Sequence, residues 1–178
     1  MTEPVLGAEE LTTDHLVLRR PVPGDAETIL AVHRDPLSCR HNPSDALRTR
    51  AEAEWLFRRW DEKWRANGYG YWVVRGRTDG QPLGFCGVKP TALSGMTALN
   101  LFYRLHPAAW GRGVATEAAS AVVAWAGTTL PGLPLIARIR PDNLPSQRVA
   151  LKAGLVRASH LDEIGEDGLD WIYARNLP

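Results

Sequence analysis

Several signatures that would assign the chain to a common functional class are missing from its sequence. The two cysteines, Cys39 and Cys86, are too few and too far apart for a zinc cluster or a disulfide framework, so we expect two free thiols and no bound metal. The pattern G-x-x-x-x-G-K-[ST] of phosphate-binding loops is absent, and no G-x-G-x-x-G opens a helix. The two common nucleotide-binding loops are therefore excluded.

Neither an excess of charge nor a long apolar run directs the chain to a polyanion or a bilayer. Lysine and arginine total 21 against 20 aspartates and glutamates, which leaves a net charge of +1 and no overall field for nucleic acid or anionic membranes. Residues 1–10 have neither a basic start nor an apolar core, and Glu117 interrupts the most apolar helix. We expect a cytoplasmic protein with no nucleic-acid or membrane partner.

The length and composition suit one domain. At 178 residues and 44% hydrophobic residues, the chain is long enough for one substantial core and short for two. No repeat, low-complexity tract or linker divides it. We therefore expect a single domain over residues 1–178, with its core at about 14–176.

Periodicity and turn signals predict alternating strands and helices. Asp25 is placed as the N-cap of a first helix, and Thr49 and Glu52 have the spacing of a capping box. A crossover helix should make the strand at 135–139 parallel to the strand that begins at Ala98, whereas the hairpins are antiparallel. The predicted strands are 16–19, 71–74, 83–88, 98–105, 135–139, 155–161 and 169–174, and the predicted helices are 26–33, 49–67, one from 114 and a short one between Asn143 and Gly154.

The stretch 98–126 carries the chemical signal. Leu99, Leu101 and Tyr103 recur with period two as in a strand with two distinct faces, and a turn containing Gly111 and Gly113 follows. Without Cβ atoms, the backbone amides of such a turn can crowd around a ligand, and an apolar helix then begins. Strand, glycine turn and helix N-terminus together indicate an anion site. A turn that merely connects a strand to a helix is the alternative, since short G-x-G turns are common.

This stretch resembles the acyl-CoA-binding motif of the GNAT N-acetyltransferases, in particular the branch similar to ribosomal-protein N-terminal acetyltransferases. That branch typically reads Y-x-L-x-P-x-x-W-G-x-G-x-A-T-E-A, whereas Ala108 departs from the Gln or Arg of the wider family. A second segment, from Pro141 to Ser146 and from Lys152 to Leu155, is similar to the family pattern P-x-N-x-x-S…K-x-G-F. The matching residues of the first motif are Tyr103, Leu105, Pro107, Trp110, Gly111, Gly113, Ala115, Thr116, Glu117 and Ala118.

The resemblance implies a single-domain GNAT fold of the α+β type within the α/β class. Its mixed, mostly antiparallel sheet of about six to seven strands splays at the cofactor site and is flanked by helices. The pantetheine of acetyl-CoA, or of another acyl-CoA, would fill the splay as an added strand, and the glycine turn would bind its pyrophosphate. The implied cofactor-binding residues are Tyr103, Leu105, Trp110, Gly111, Arg112, Gly113, Val114, Ala115, Thr116, Asn143 and Ser146.

The same resemblance implies direct attack of an amine on the thioester in a ternary complex. Ser146 is the implied proton donor to the departing thiolate, because Ala150 stands where many members of the family have a tyrosine. A hydroxyl that satisfies a helix start is the alternative for Ser146. Asn100 stands where the family often has a glutamate base, so a base would come from elsewhere, for example from the helix 49–67. His41, in a loop that such enzymes use to shape the acceptor site, is either a substrate contact or a solvated side chain.

The sequence thus predicts an N-acetyltransferase that moves an acetyl group from acetyl-CoA to an amine. The expected acceptor is a peptide or protein N-terminus or an amine-bearing small molecule, and the expected state is a monomer or homodimer. Two alternatives stay open at this point: transfer of a larger acyl group such as succinyl, and a non-catalytic acyl-CoA-binding or sensor protein.

Overall fold

An open, mixed sheet with helices on both faces forms the molecule. The computed structural model describes residues 9–178, so the prediction for the extreme N-terminus lies largely outside the described residues. The strands are β1 (Glu10–Thr12), β2 (Leu16–Arg19), β3 (Tyr71–Gly76), β4 (Pro82–Leu93), β5 (Met96–Leu105), β6 (Leu135–Ile139), β7 (Val156–Arg157), β8 (Glu163–Gly165) and β9 (Gly168–Arg175). The helices are α1 (Ala26–Arg34), α2 (Arg50–Asn67), α3 (Val114–Thr129) and α4 (Leu144–Lys152).

The strand order is β1-β2-β3-β4-β5-β6-β9-β7, with β8 paired to β9. Strands β5 and β6 are parallel, as the crossover through α3 requires, and the other described pairs are antiparallel. This confirms the predicted mixed, mostly antiparallel sheet flanked by helices. Within residues 9–178, no helix is long and apolar enough to cross a membrane.

Each face of the sheet buries its own core. On one face, α1 and α2 supply Ile29, Ala53 and Trp60, which pack against Val73 and Phe85. On the other face, α3 and α4 pack on the alternate strand positions. A third cluster of buried residues is formed by β4, β5, β6 and β9 together with Ala158, which follows β7. The α3 and α4 side of the core includes Val114, Ala118, Val122, Trp125, Ala150, Leu99, Leu101, Leu105 and Ala137.

Local signals place the helices as the sequence predicts. The Thr49 hydroxyl accepts from Glu52 N, the Glu52 carboxylate accepts from Thr49 N, and Gly68 ends α2 with φ +75°. Asp25 corrects one prediction, because its carboxylate does not cap α1. It accepts from Val22 N at 2.7 Å and pairs with Arg19 at 2.9 Å. Because Arg19 donates to both carboxylate oxygens, neither oxygen accepts from an amide of α1.

The strands differ from the prediction at two places. β4 continues to Leu93 and turns at Ser94 and Gly95, whose φ values of 46° and 81° suit a tight hairpin. The predicted strand 155–161 is wrong as one element: β7 ends at Arg157, a 3-10 turn follows, and β8 begins at Glu163. Asp162 explains the break, since its carboxylate accepts from Arg157 and from Ile172 N. With short β1, the sheet has nine described strands.

Candidate functional site

The two parallel strands separate after a short paired segment. β5 and β6 pair only at Leu99 with Leu135 and at Asn100 with Ile136, and Leu99 N donates to Pro134 O at 2.8 Å. Beyond that point, residues 101–105 of β5 and 137–139 of β6 enclose a gap, which we call the opening. Since alternate residues of a strand present their amides to the same edge, Leu101 and Tyr103 turn unpaired backbone groups toward the opening.

A glycine turn, residues 110–113, lies at the end of β5. Gly111 and Gly113 have φ values of +72° and +76°, and a Cβ at either position would meet nothing within 4 Å. The turn is therefore an exposed backbone surface in a conformation that favours glycine. Trp110 anchors it, because the indole Nε1 donates to Leu105 O at 3.1 Å while 48% of the residue stays exposed.

The first turn of α3 follows the glycine turn directly. Glu117 N donates to Gly113 O at 3.0 Å and closes the first helical bond. The amides of Val114, Ala115 and Thr116 precede that bond and are free of the helix ladder, as at every helix start. Glu117 turns away from them: its carboxylate accepts from Thr13 Oγ1 at 2.5 Å and His15 N at 2.8 Å. Burial opposes the charged form of Glu117, and these hydrogen bonds outweigh it and lower its pKa.

Two hydroxyls meet at the opening. Ser146 Oγ donates to Tyr103 Oη at 2.9 Å, and Tyr103 Oη donates to Ser146 O at 2.8 Å. Asn143 caps α4 and fixes this serine, because its side-chain oxygen accepts from Ser146 N at 3.2 Å. Burial raises the pKa of Tyr103, against a smaller lowering by the Ser146 hydrogen bond, so the phenol is neutral. The structure thus brings together Tyr103, Asn143 and Ser146.

The other predicted site residues divide between surface and core. Arg112 and Gly111 are exposed at the glycine turn, whereas the Leu105 side chain is buried in the core and only its carbonyl takes part in the turn. Val114 is also buried, and Ala115 and Thr116 are half-buried beside it. These residues lie around one site, and their roles toward a cofactor are part of the proposal below.

Asn100 is the last residue of β5 that pairs with β6, and it lies beside an arginine that was not identified from the sequence. Arg138 of β6 donates to Asn100 Oδ1 at 3.2 Å and to Thr91 Oγ1 at 3.1 Å, and it forms an ion pair with Glu163. Period two predicts that Arg138 and Ile136 share a face of β6. Pairing with Glu163 depends on the short strand β8, which the sequence did not predict.

A loop between α1 and α2, residues 35–49, crosses the wide end of the opening. We call it the covering loop. On the β5 side, Ser38 Oγ donates to Leu105 O at 3.2 Å. On the β6 side, His41 Nδ1 lies 3.2 Å from Asp142 Oδ1, three residues beyond the end of β6. Ser44 Oγ also donates to Asp167 Oδ2 at 2.6 Å in the turn between β8 and β9. The loop therefore bridges both sides of the opening.

A buried arginine holds the loop to β5. Arg104 is 8% exposed, its Nη2 donates to Asp45 Oδ2 at 2.7 Å, and its guanidinium lies 5.3 Å from the Phe102 ring centroid. Its Nη1 is buried without a hydrogen-bond partner among residues 9–178. Phe102 in turn stacks on Tyr71 at 4.5 Å, so aromatic rings form this face of the sheet next to the loop.

Three acidic residues of α2, the helix predicted over 49–67, are paired with other groups and do not reach the opening. Glu52 belongs to the capping box, Glu54 pairs with Arg50, and Asp61 pairs with Arg20 and Arg65. The carboxylates around the opening come from loops and from β8 and β9 instead. The sequence did not reveal these groups because their contacts join residues far apart in the chain, 25 positions for Arg138 with Glu163 and 101 positions for His41 with Asp142.

Comparisons with known proteins agree with this geometry. A Bacillus subtilis (strain 168) protein, described as the uncharacterized protein YkkB, is 30% identical over 151 residues, which cover 82% of this chain and 84% of that protein. An acetyltransferase from Agrobacterium tumefaciens str. C58 has a similar structure, with a TM-score of 0.79, 23% identity, and coverage of 94% of each chain.

A third similar structure is RimL, a ribosomal L7/L12 alpha-N-protein acetyltransferase solved in complex with coenzyme A. It has a TM-score of 0.69 and 16% identity and covers 94% of this chain and 97% of its own, so the likeness shows the fold. The family model described as the acetyltransferase (GNAT) domain matches residues 15–156, which is most of the chain. The separated parallel strands, the glycine turn and these matches lead to one conclusion: the chain belongs to the GNAT acetyltransferase family.

Proposed function

We propose that the protein is an acetyl-CoA-dependent N-acetyltransferase whose acceptor is an α-amine, such as a peptide N-terminus, attacked directly in a ternary complex. The observation that carries the proposal is the separation of β5 from β6 after Asn100, next to the glycine turn and the start of α3. An unpaired sheet edge and a set of free amides lie side by side there, and a long amide-bearing ligand with a pyrophosphate needs both.

The residues present fit acetyl-CoA as a substrate. Leu101 and Tyr103 offer backbone groups to the pantetheine amides in place of a strand partner. The glycine turn and the first-turn amides of α3 offer donors and a positive helix end to the pyrophosphate, and the open space at Gly113 leaves room for close approach. Arg112, exposed in the same turn, adds a positive charge beside the phosphates.

The thioester supplies the activated acetyl group, and the chain supplies positioning and proton transfer. The Leu101 amide, first after the strands separate, serves to polarise the thioester carbonyl. Ser146 serves as the proton donor to the departing sulfur, from a first helical turn that Asn143 caps. Tyr103 keeps the serine hydroxyl in place through the hydrogen bond between Oγ and Oη. Held in line, amine and thioester react without a covalent enzyme intermediate.

Asn100 supports an α-amine acceptor. An α-amino group with a pKa of about 7.8 is roughly one-third neutral at pH about 7.5, whereas lysine with a pKa of about 10.4 is neutral to about one part in a thousand. That difference corresponds to about 3.5 kcal/mol of assistance that lysine would need. Asn100 cannot accept a proton as a carboxylate does, and Arg138 holds its side-chain oxygen. The α-amine is thus the easier substrate.

Coenzyme A binding to paired glycine variants tests the site. Gly113→Val and Gly132→Val both place a branched residue at positive φ with no contact within 4 Å, so each should lose about 1–2 kcal/mol of stability from backbone strain. Gly132 lies beyond the far end of α3, which makes it the matched control. Calorimetric titration should show affinity reduced at least about tenfold only in Gly113→Val. Equal affinities in the two folded variants would refute this placement of the pyrophosphate.

A further inference from the structure

The acetyl transfer proposed above needs a group to take the amine proton, and the covering loop brings a histidine to the opening. Ser38 and Asp45 hold the loop to β5 through Leu105 O and Arg104. His41 lies between those two anchors in the chain and contacts the turn after β6. The histidine is therefore on the part of the loop that spans the opening, and it contacts the turn that leads from β6 into α4.

The His41 ring has one nitrogen occupied and one available. Nδ1 lies 3.2 Å from Asp142 Oδ1, and only 20% of the side chain is exposed. Nε2 has no hydrogen-bond partner among residues 9–178. A carboxylate at Nδ1 fixes the tautomer that carries its proton there, so Nε2 presents a lone pair. Asp142 directly precedes Asn143, whose side chain positions Ser146 N.

The carboxylates near the opening are engaged by other groups. Glu163 pairs with Arg138, Asp45 pairs with Arg104, and Asp167 accepts from the Ser44 amide and hydroxyl. Asp170 lies 3.7 Å from Arg140 and is only 8% exposed; burial raises its pKa, and Arg140 and Arg138 oppose that effect. Each would still lose an ion pair or hydrogen bonds on taking up a proton, whereas His41 would gain a charge next to Asp142. Among these side chains, the histidine is the best placed acceptor for a proton.

We propose that His41 is the catalytic base and that Asp142 is the residue that positions it. This inference rests on the proposed N-acetyltransferase function. As the amine nitrogen bonds to the acetyl carbon, its proton passes to His41 Nε2. The bond from carbon to sulfur breaks, and the sulfur takes a proton from Ser146. The two side chains return to their starting states by exchanging that proton with water, so no other reactant is required.

The charged groups in the covering loop are Asp35, Arg40, Asp45 and Arg48. Those that contact it from the elements around it are Glu52 of α2, Arg104 of β5, Asp142 after β6 and Asp167 between β8 and β9.

The test compares pH profiles of His41→Gln and Asp142→Asn with the wild-type enzyme, using acetyl-CoA and a peptide with a free N-terminus and blocked lysines. We expect kcat/KM for the peptide to fall about 10²-fold in His41→Gln, with acetyl-CoA affinity changed by less than about twofold. The acid limb of its profile should keep the ionisation of the peptide α-amine and lose that of the histidine, so its limiting slope should fall from about two to about one. Asp142→Asn should show a smaller loss and a shifted limb. The matched control is His15→Gln, since His15 also pairs a ring nitrogen with a carboxylate, Glu117, away from the opening.

The outcomes separate the two levels of the proposal. If the wild-type enzyme acetylates the peptide but His41→Gln keeps its rate and the steeper slope of its acid limb, the inference about His41 is overturned and the proposed function stands. A reduced slope in Glu163→Gln instead would also overturn it. Wild-type protein that acetylates no amine overturns both. Should His41→Gln fold poorly, His41→Ala with added imidazole replaces it: recovery of rate supports the base, and no recovery in folded protein refutes it.

Discussion

Replacing Ser146 with alanine separates a role in catalysis from a role in structure. The substitution removes the hydrogen bond from Ser146 Oγ to Tyr103 Oη, whereas the bond from Tyr103 Oη to the Ser146 carbonyl remains. The phenol is therefore not orphaned, and the free energy of unfolding should fall by only about 0.5–1.5 kcal/mol. Turnover should fall about 10²-fold, equivalent to about 2.7 kcal/mol, because a proton donor acts mainly in the transition state.

The assay is steady-state turnover with acetyl-CoA at saturating peptide, together with urea denaturation of the same preparations. Ser146→Thr, which keeps a hydroxyl, is the conservative control. Tyr103→Phe is the second control, because it removes the partner phenol and leaves the serine hydroxyl. We expect both controls to retain more turnover than Ser146→Ala. A loss confined to KM for acetyl-CoA would make Ser146 a positioning residue, and a larger loss in Tyr103→Phe would identify the phenol as the donor.

Three further predictions concern the stability of the fold. Burial, and to a smaller extent Arg104, lowers the pKa of His33 to about 4 in the folded protein. Because the unfolded chain binds a proton at this histidine at higher pH than the folded protein does, the free energy of unfolding should fall by up to about 3 kcal/mol as pH drops from 6.5 to 4. His33→Gln should flatten this part of the curve, and an unchanged slope would contradict it. Thr49→Ala should cost about 1 kcal/mol in urea denaturation by removing the cap of α2, and a change below a few tenths would be too small for a cap. Asp45→Asn should cost about 1–3 kcal/mol because it removes the charged partner of buried Arg104, and a neutral result would show that the pair is not stabilising.

The sequence predicts well the parts of the molecule that local chemistry determines. The capping box at Thr49, the Asn143 cap and the glycine turn depend on residues a few positions apart, and each forms as its spacing indicates. The sequence did not predict the last part of strand β4, because Lys89 to Leu93 lack an alternating pattern of apolar and polar residues. Their pairing with β5 comes from the hairpin at Ser94 and Gly95.

The contacts of the covering loop were not predictable in the same way. The contacts of His41 with Asp142 and of Ser44 with Asp167 join residues more than a hundred positions apart in irregular segments. Neither period nor propensity carries information about such pairs, because they follow from how the covering loop lies across the finished sheet. Arg138 beside Asn100 depends likewise on β8, which is three residues long.

A competition between two matched peptides tests the central claim most directly. One peptide has a free N-terminus and blocked lysines, and the other has a blocked N-terminus and free lysines. Mass spectrometry and release of free coenzyme A thiol then follow acetylation by the wild-type protein from acetyl-CoA across pH. We predict faster modification of the α-amine at neutral pH, with the gap narrowing as pH rises toward the lysine pKa of about 10.4. Faster lysine modification at neutral pH, or no transfer to either peptide, would contradict the proposed function.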